Sequence, residues 1–444
     1  MKKITALFLT LALVLVALSG CGGKSQTSQP EHSDDNSDYQ PPQDTVVLAS
    51  GWAETWYNRP SGTQAYSDLW GEAVKKVEKK YKIKIEVQYL DFNNLDIIAR
   101  AISAGSAPYD MIEMQIASAR KLALNNVLYD QASMTKLDLS SEAFKQCKAI
   151  GEAVSFNGKQ YASLFGYPYS TISGVFVNKD VLKKYSQPDI QSLVDSKEWT
   201  FAKYKEIANS IYKKSGGTVF GTAAGVEMIG VAMTSNAKGT VIRDNGKYIC
   251  AGIMQPGIDA CKWIQDMYIN DKSLKYITTG MRDSFQYFMD NKAAFVPATL
   301  EMCEMLINAE SDWTFVPFPI GPDQSEYLIG TYSGKCFAMP ATVKNPEFIG
   351  EVYNAIGEEM YSEIKKMYEN MLSDYGMDDA GCERAMNMAQ YIVPEFAEGI
   401  DVSGHGNQIN GAVFSASGDI TKVFNSISSI MENAVSDYYG SVSQ

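Results

Sequence analysis

Three apolar-rich segments, Thr45-Val-Val-Leu-Ala-Ser-Gly51, Lys82-Ile-Lys-Ile-Glu-Val-Gln-Tyr89 and Tyr109-Asp-Met-Ile-Glu-Met114, alternate with two helical ones, and that alternation decides the fold class. The first is a short apolar run closed by glycine, which reads as a buried strand. The second alternates polar and apolar residues with period two, the pattern of a half-buried strand. Between them, from Gln64 to Tyr81, Leu69, Ala73 and Val77 recur every fourth residue, flanked by Trp70, Val74 and Tyr81. Lys75, Lys76, Glu78, Lys79 and Lys80 cover the opposite face, so the segment is an amphipathic helix. A second helix over Leu95 to Ser103 stops before Gly105 and leads into the third strand. Strand, helix, strand, helix, strand predicts a right-handed parallel α/β sheet.

Upstream of this unit the chemistry changes twice. Lys2 and Lys3 precede an apolar stretch, Ile4 to Ala17, of signal-peptide length, followed by Leu18-Ser19-Gly20-Cys21. Leu-Ser-Gly-Cys resembles the bacterial lipobox. The resemblance implies that residues 1–20 are a lipoprotein signal peptide and that Cys21 takes a diacylglyceryl thioether and becomes the mature N-terminus. Two acyl chains give stable anchoring where one is marginal. Gly22 to Asp44 is Gly, Ser, Gln, Asp and Pro with almost nothing apolar, so 21–44 reads as a lipidated cysteine on a flexible tether. No later segment has the uninterrupted apolar length of a membrane span. The expectation is a protein anchored to the outer face of the bacterial cytoplasmic membrane.

The whole chain has 444 residues, 45% hydrophobic and 20% charged. At about 150 residues per domain that allows two or three cores, and it excludes a collagen, a disordered chain and a polytopic membrane protein. A net charge of −13 argues against a nucleic-acid partner. The two histidines, His32 and His405, leave catalytic triads and histidine-rich zinc sites almost nothing to draw on, so no metal and no cofactor is expected. Cys147, Cys250, Cys261, Cys303, Cys336 and Cys382 show no CxxC spacing and read as mostly buried free thiols, although export permits a disulfide. Gly330-Thr-Tyr-Ser-Gly-Lys335 fails as a P-loop, being one residue short between its glycines and followed by Cys336 where Ser or Thr would hold magnesium. Gly404-His-Gly406 with Gly411 lacks the dinucleotide spacing and reads as a loop. The Tyr and Met richness of Glu358 to Met388 reads as helix packing.

The order of several further passages carries a resemblance. After Gly51-Trp52 come Ala104-Gly-Ser-Ala-Pro-Tyr-Asp-Met-Ile-Glu-Met114, Phe156-Asn-Gly-Lys-Gln-Tyr-Ala162, Gly166-Tyr-Pro-Tyr169 and Val175-Phe-Val-Asn-Lys-Asp180. Glu198-Trp-Thr-Phe201, Phe288-Met-Asp-Asn-Lys-Ala-Ala-Phe295, Phe315-Val-Pro-Phe-Pro-Ile-Gly321 and Phe337-Ala-Met-Pro340 follow in sequence. Together with the lipobox they resemble the family 1 extracellular solute-binding proteins of ABC importers, which include maltose-binding proteins. The resemblance spans nearly all of Thr45 to Gln444 and is softest over the last hundred residues. It implies a two-lobed, periplasmic-binding-protein-like α/β fold of type II, a Venus-flytrap with a multi-crossing hinge. Lobe 1 is then 45–166 plus 333–394, and lobe 2 is 167–332 plus 395–444. Crossings are expected near Phe165 to Pro168, between Pro319 and Ser333, and near Pro394.

In open α/β sheets ligands bind beyond the carboxyl ends of the strands. A sugar presents apolar C–H faces and a rim of hydroxyls, so its site needs aromatic platforms beside carboxylates and amides. Loops at expected strand ends supply Trp52, Glu54, Trp56, Tyr57 and Arg59, then Gln115, then Tyr167 and Tyr169. Thr299, Glu301, Tyr332 and Ser333 follow later strands, and Glu227 follows the Gly221 to Gly225 stretch. Trp70, Trp199, Trp263 and Trp313 read as core. Arg59 would suit an acidic sugar such as a uronate. The function implied is capture of a carbohydrate, an oligosaccharide by preference, and its delivery to ABC permease subunits by a monomeric, non-enzymatic binding protein. The alternatives are a secreted carbohydrate-active enzyme with a carboxyl pair across the cleft, a binding protein for a non-sugar solute, and a sensor's ligand-binding partner.

Overall fold

The computed structural model describes residues 39–62, 64–332, 334–400, 405–440 and 442. The signal peptide, Cys21, the tether as far as Asp38, and Ser333 lie outside the described residues.

The opening alternation folds as its periodicity requires. Strand β1 (Thr45–Ser50) is followed by α1 (Ala65–Tyr81), β2 (Lys84–Tyr89), α2 (Leu95–Ser103) and β3 (Met111–Gln115). β1 pairs in parallel with β2, Val46 against Ile85, and with β3, Leu48 against Met111. The Gln64 side chain accepts from the Ser67 N–H to start α1, and Lys82, at φ 51°, stops it in the left-handed region. Trp70, Ala73, Val74, Val77 and Tyr81 are buried under α1. Leu69, expected on the same stripe, lies one step round the helix and remains partly exposed.

Downstream come β4 (Ala162–Ser163), β5 (Ser173–Asn178), β6 (Phe220–Ala224), α3 (Glu227–Ala237), β7 (Leu274–Tyr276), β8 (Ala293–Thr299), β9 (Trp313–Pro317) and β10 (Lys335–Ala338). Helices α4 (Pro346–Asp374), α5 (Asp379–Asn387) and α6 (Ile420–Tyr439) complete the chain. The strands form two five-stranded sheets, ordered β2-β1-β3-β10-β4 and β7-β6-β8-β5-β9. Both are mixed. β10 runs antiparallel to β3 and β4, because it enters the first sheet on its return from the second. β5 runs antiparallel to β8 and β9.

The chain leaves the first sheet after Ser163, enters the second at Ser173, and comes back between Pro317 and Lys335. Gly166 stands on the first passage with φ 81°, where a Cβ would also sit 2.7 Å from Ile364 Cδ1. On the return passage Ile329 and Gly330 pair in parallel with Ile392 and Val393, so a third segment lies beside the second.

Each sheet has its own core. Trp199, Tyr204, Phe295 and Phe318 lie in one, with the Trp199 indole N–H donating to the Pro317 carbonyl at 2.9 Å. Ile112, Met114, Ile116 and Leu122 lie in the other. Helix α6 serves both. Its Ile420 and Phe424 pack in the second-sheet core, and Ile427, Met431, Val435 and Tyr439 in the first. The six described cysteines are free and buried, and burial pushes the Cys261 and Cys303 thiols up to about 12.

Arg120 ties the segment before α6 to the first lobe. Its guanidinium is fully buried and donates to the carbonyls of Glu395 and Glu398, each at 2.7 Å, and of Ala153 at 3.2 Å. Arg120→Met should lower unfolding stability by about 3 kcal/mol or more, because three buried carbonyls lose their donor. Urea denaturation of the two proteins measures the difference.

Candidate ligand-binding cleft

The first loop is built for a paired aromatic display. After β1 the backbone makes a single wide turn over Ala53–Tyr57, closed by the Asn58 N–H on the Ala53 carbonyl at 2.8 Å. Wide turns of this kind recur at functional sites. Trp52 and Trp56, four residues apart, come to one side of it. Ser50 sets where the turn starts. Its hydroxyl accepts the Trp52 N–H at 3.0 Å and donates to Glu113 Oε2 at 2.5 Å.

Register places the facing groups. Gln115 lies opposite Lys335 and Glu113 opposite Phe337 in the β3–β10 pair, so Glu113, Gln115 and Lys335 share one sheet face at the carboxyl end of β3. The Lys335 ammonium lies over both indoles, 4.3 Å from the Trp52 ring centre and 4.7 Å from that of Trp56. Burial lowers the Lys335 ammonium below its ordinary value, against the opposing pull of Glu113 and Glu301. Burial raises the Glu113 carboxyl above the usual range, with Lys335 and Ser50 pulling the other way, and it raises Glu301 likewise, opposed by Lys335.

Of these groups, Trp56 and Glu301 line a cleft, and Glu113 and Lys335 line a recess beside it. A cavity of about 910 Å³ lies between the start of α1 (Gln64, Tyr66, Asp68, Leu69, Glu72), the C-terminal half of α4 (Glu363 to Asp374) with Tyr375 after it, and the turn after β8 (Glu301, Met302, Glu304), with Trp56 and Tyr169 also in its lining. Its volume is at the upper end of the roughly 300–1,000 Å³ usual for ligand pockets. A small recess of about 50 Å³ continues inward to Glu113, Tyr167 and Lys335. Tyr169 stacks on Tyr368 at 4.4 Å, and Trp56 meets Tyr66 edge-on at 5.4 Å. The two walls come from different lobes, since Glu301 follows β8 of the second sheet while Trp56 and Glu113 belong to the first.

Of the residues proposed from sequence, the fold gathers Trp56, Tyr167, Tyr169 and Glu301 on the cavity and recess, with Trp52 adjoining through Lys335. Gln115 is exposed beside Lys335, and Thr299 ends β8 one residue before the turn that carries Glu301. The Tyr167 hydroxyl donates to the Ala385 carbonyl at 2.8 Å, and that of Tyr169 lies 2.9 Å from Cys303 Sγ, so each ring is fixed. The others stand elsewhere. Glu54 is exposed and accepts from Asn58, and Tyr57 is buried edge-on against Trp70 at 4.8 Å. Arg59 is exposed outside the cavity lining. Glu227 turns back to accept the Gly225 N–H at 2.7 Å, at the start of α3. Tyr332 is held by Thr240 at 3.1 Å near the same helix.

Sequence reasoning missed Tyr66, Lys335 and the α4 wall. Lys335 closes the stretch that fails as a P-loop. The Glu358–Met388 stretch, read as packing, is packing on one face, where Ile364 and Leu372 are buried, and cavity wall on another. Glu363, Met367, Asn370, Met371 and Asp374 recur at three- and four-residue spacing, and that second stripe was the available signal.

Residues 72–350 match the family model described as "Bacterial extracellular solute-binding protein". The chain belongs to that family. Its fold is also that of M. tuberculosis UspC (15% identity, 88% of this chain and 100% of that one, TM-score 0.65). It is similar to the Listeria monocytogenes ABC substrate-binding protein Lmo0181, solved with cycloalternan (16% identity, 90% and 100% covered, TM-score 0.56). The cyclic alpha-maltosyl-1,6-maltose binding protein of Arthrobacter globiformis is another neighbour (11% identity, 89% and 98% covered, TM-score 0.61). No curated protein matches the sequence at a significant level. The two-lobed architecture of these solute-binding proteins is the one expected from the motif order. Among the described residues no helix is long and apolar enough to cross a membrane, and no cluster of three metal-ligating side chains occurs.

The raised Glu113 carboxyl has a consequence for folding. A carboxyl whose folded value exceeds its ordinary 4.5 contributes stability that is present below that pH and lost as pH rises through the folded value. Glu113→Gln should therefore gain stability relative to wild type as pH is raised from about 4 to about 8, measured as the difference in denaturant midpoints across the series.

Proposed function

We propose that this solute-binding protein captures a carbohydrate, an oligosaccharide by preference, in the cleft between its sheets and delivers it to the permease of an ABC transporter. The observation that carries this reading is the lining of the cavity. Trp56 and Tyr66, both partly exposed, offer ring faces for sugar C–H surfaces in front of the stacked Tyr169–Tyr368 pair, and carboxylates including Asp68, Glu72, Glu301, Glu363 and Asp374 accept from hydroxyls at the rim. Neighbours solved with or named for saccharides support the choice of solute. Family membership supports the transport role, and the reading takes the protein to be a non-catalytic monomer. Arg59 stands away from the cavity and the cavity wall is rich in carboxylates, so a neutral sugar is favoured over a uronate. The ligand residues in this reading are Trp52, Trp56, Gln115, Tyr167, Tyr169, Thr299 and Glu301, joined by Tyr66 and Tyr368.

Titration of the mature protein with mono- and oligosaccharides, followed by tryptophan fluorescence and calorimetry, tests the reading. Saturable binding of an oligosaccharide is the expected result, and a response to peptides or polyols alone would replace the sugar. Trp56→Ala should weaken that binding by about 1–3 kcal/mol through lost stacking, with little change in the thermal midpoint.

The anchoring proposal rests on the lipobox-like Leu18-Ser19-Gly20-Cys21. Cys21→Ser should move the protein from the membrane fraction to the soluble extracytoplasmic fraction, as read by fractionation and immunoblot. Equal partition of the two forms would remove the lipid from this picture.

A further inference from the structure

The solute-binding reading gives no ligand role to Lys335, the one cationic side chain lining the inner recess. Lys335 Nζ lies over two indoles at 4.3 and 4.7 Å, and Glu113 of the first lobe and Glu301 of the second line the same recess as Lys335. Two aromatic faces with two carboxylates is the environment that recognises an alkylammonium ligand. Here the chain supplies that ammonium itself, from β10, next to the recess that Trp56, Tyr167 and Tyr169 line.

We infer that Lys335 is a specificity-determining residue that fills a cation cage made by Trp52, Trp56, Glu113 and Glu301, and so commits the inner end of the cleft to an uncharged, oxygen-bearing part of the solute. Three physical points lead there. An ammonium held against both indoles repels a second ammonium within a few ångströms, in surroundings where water screens poorly. The same ammonium is a three-proton donor, suited to hydroxyl and ring oxygens. Without it, the two carboxylates and the ring faces would form an open site for a solute amine. The inference deepens the carbohydrate reading by naming which end of the sugar must be neutral, and it rests on that reading for the identity of the solute alone.

The test uses the full mature chain. Lys335→Ala empties the cage, and propylammonium chloride is titrated into wild type and variant at constant ionic strength, with sodium chloride as the control and tryptophan fluorescence as the signal. The expected result is a saturable, amine-specific change in Lys335→Ala that is at least about tenfold weaker in wild type and in the Trp52→Ala, Lys335→Ala double variant. A variant that folds, by circular dichroism, and responds to the amine no more than to sodium overturns the inference.

Should the variant not fold, the wild type decides. In carbon-13 lysine-labelled protein one ε-methylene resonance should lie upfield of the exposed lysines through indole ring currents, and be absent from Lys335→Arg at that position. A wild-type spectrum with no such resonance overturns the inference as well. A third arm compares a neutral oligosaccharide with its analogue carrying a 2-amino group at the terminal residue. Wild type should prefer the neutral form and Lys335→Ala should lose that preference, whereas an unchanged preference counts against the cage. Failure of wild type to bind any saccharide would sink the carbohydrate reading, while the amine and resonance results would still decide the cage.

Discussion

A single serine hydroxyl joins the two parts of this protein that have to agree. Ser50 is the last residue of β1, fully buried, and its Oγ both donates to Glu113 and accepts the Trp52 N–H. The first bond crosses from β1 to β3 at the carboxyl edge of the sheet, and the second fixes where the chain turns away. A carboxylate buried as deeply as Glu113 is costly unless hydrogen-bonded and faced by positive charge. Ser50 supplies the bond and Lys335 the charge. The start of the turn that carries the two indoles and the sheet face from which the ammonium rises are both tied to that one acid.

The second structural element of consequence is α4. Its N-terminal half lies along α1, with Phe348 edge-on to Tyr81 at 6.1 Å and Glu359 paired to Lys76 at 2.8 Å. Just beyond its C-terminus, the Tyr375 carbonyl accepts the Trp313 indole N–H of the second sheet. At about 1.5 Å per residue, 29 residues reach roughly 44 Å, enough to brace both lobes. The helix therefore walls the cavity from the side. The surface ion pairs that dock α5, Lys179–Asp378 and Arg384–Asp195, are exposed and of modest worth beside the buried contacts.

Much of the first lobe was legible in the sequence because its elements are strongly periodic. The start of β1, the extent of α2 and the parallel pairing of the first three strands follow from the local pattern of apolar runs and the glycines that close them. The antiparallel entry of β10 was not legible, since it depends on which edge of the sheet a returning chain finds free. Within the site, Trp52 and Trp56 could be found because they are aromatic residues in the loop that follows a strand end. Glu54, Tyr57 and Arg59 share that loop, yet the turn directs them to solvent or to Trp70, a sorting that needs backbone geometry.

The sequence by itself determined the α/β class, the strand-end loops that offer aromatic rings, and an N-terminal segment and tether of composition unlike the rest. These are local properties, carried by spacing within a dozen residues. The tertiary structure alone decided that Lys335 meets Trp52, that α4 walls the cleft, and that Tyr332 belongs to the neighbourhood of α3. Each of those depends on residues tens to hundreds apart, whose contact is set by the way two sheets share one chain and by the need to satisfy charges buried between them.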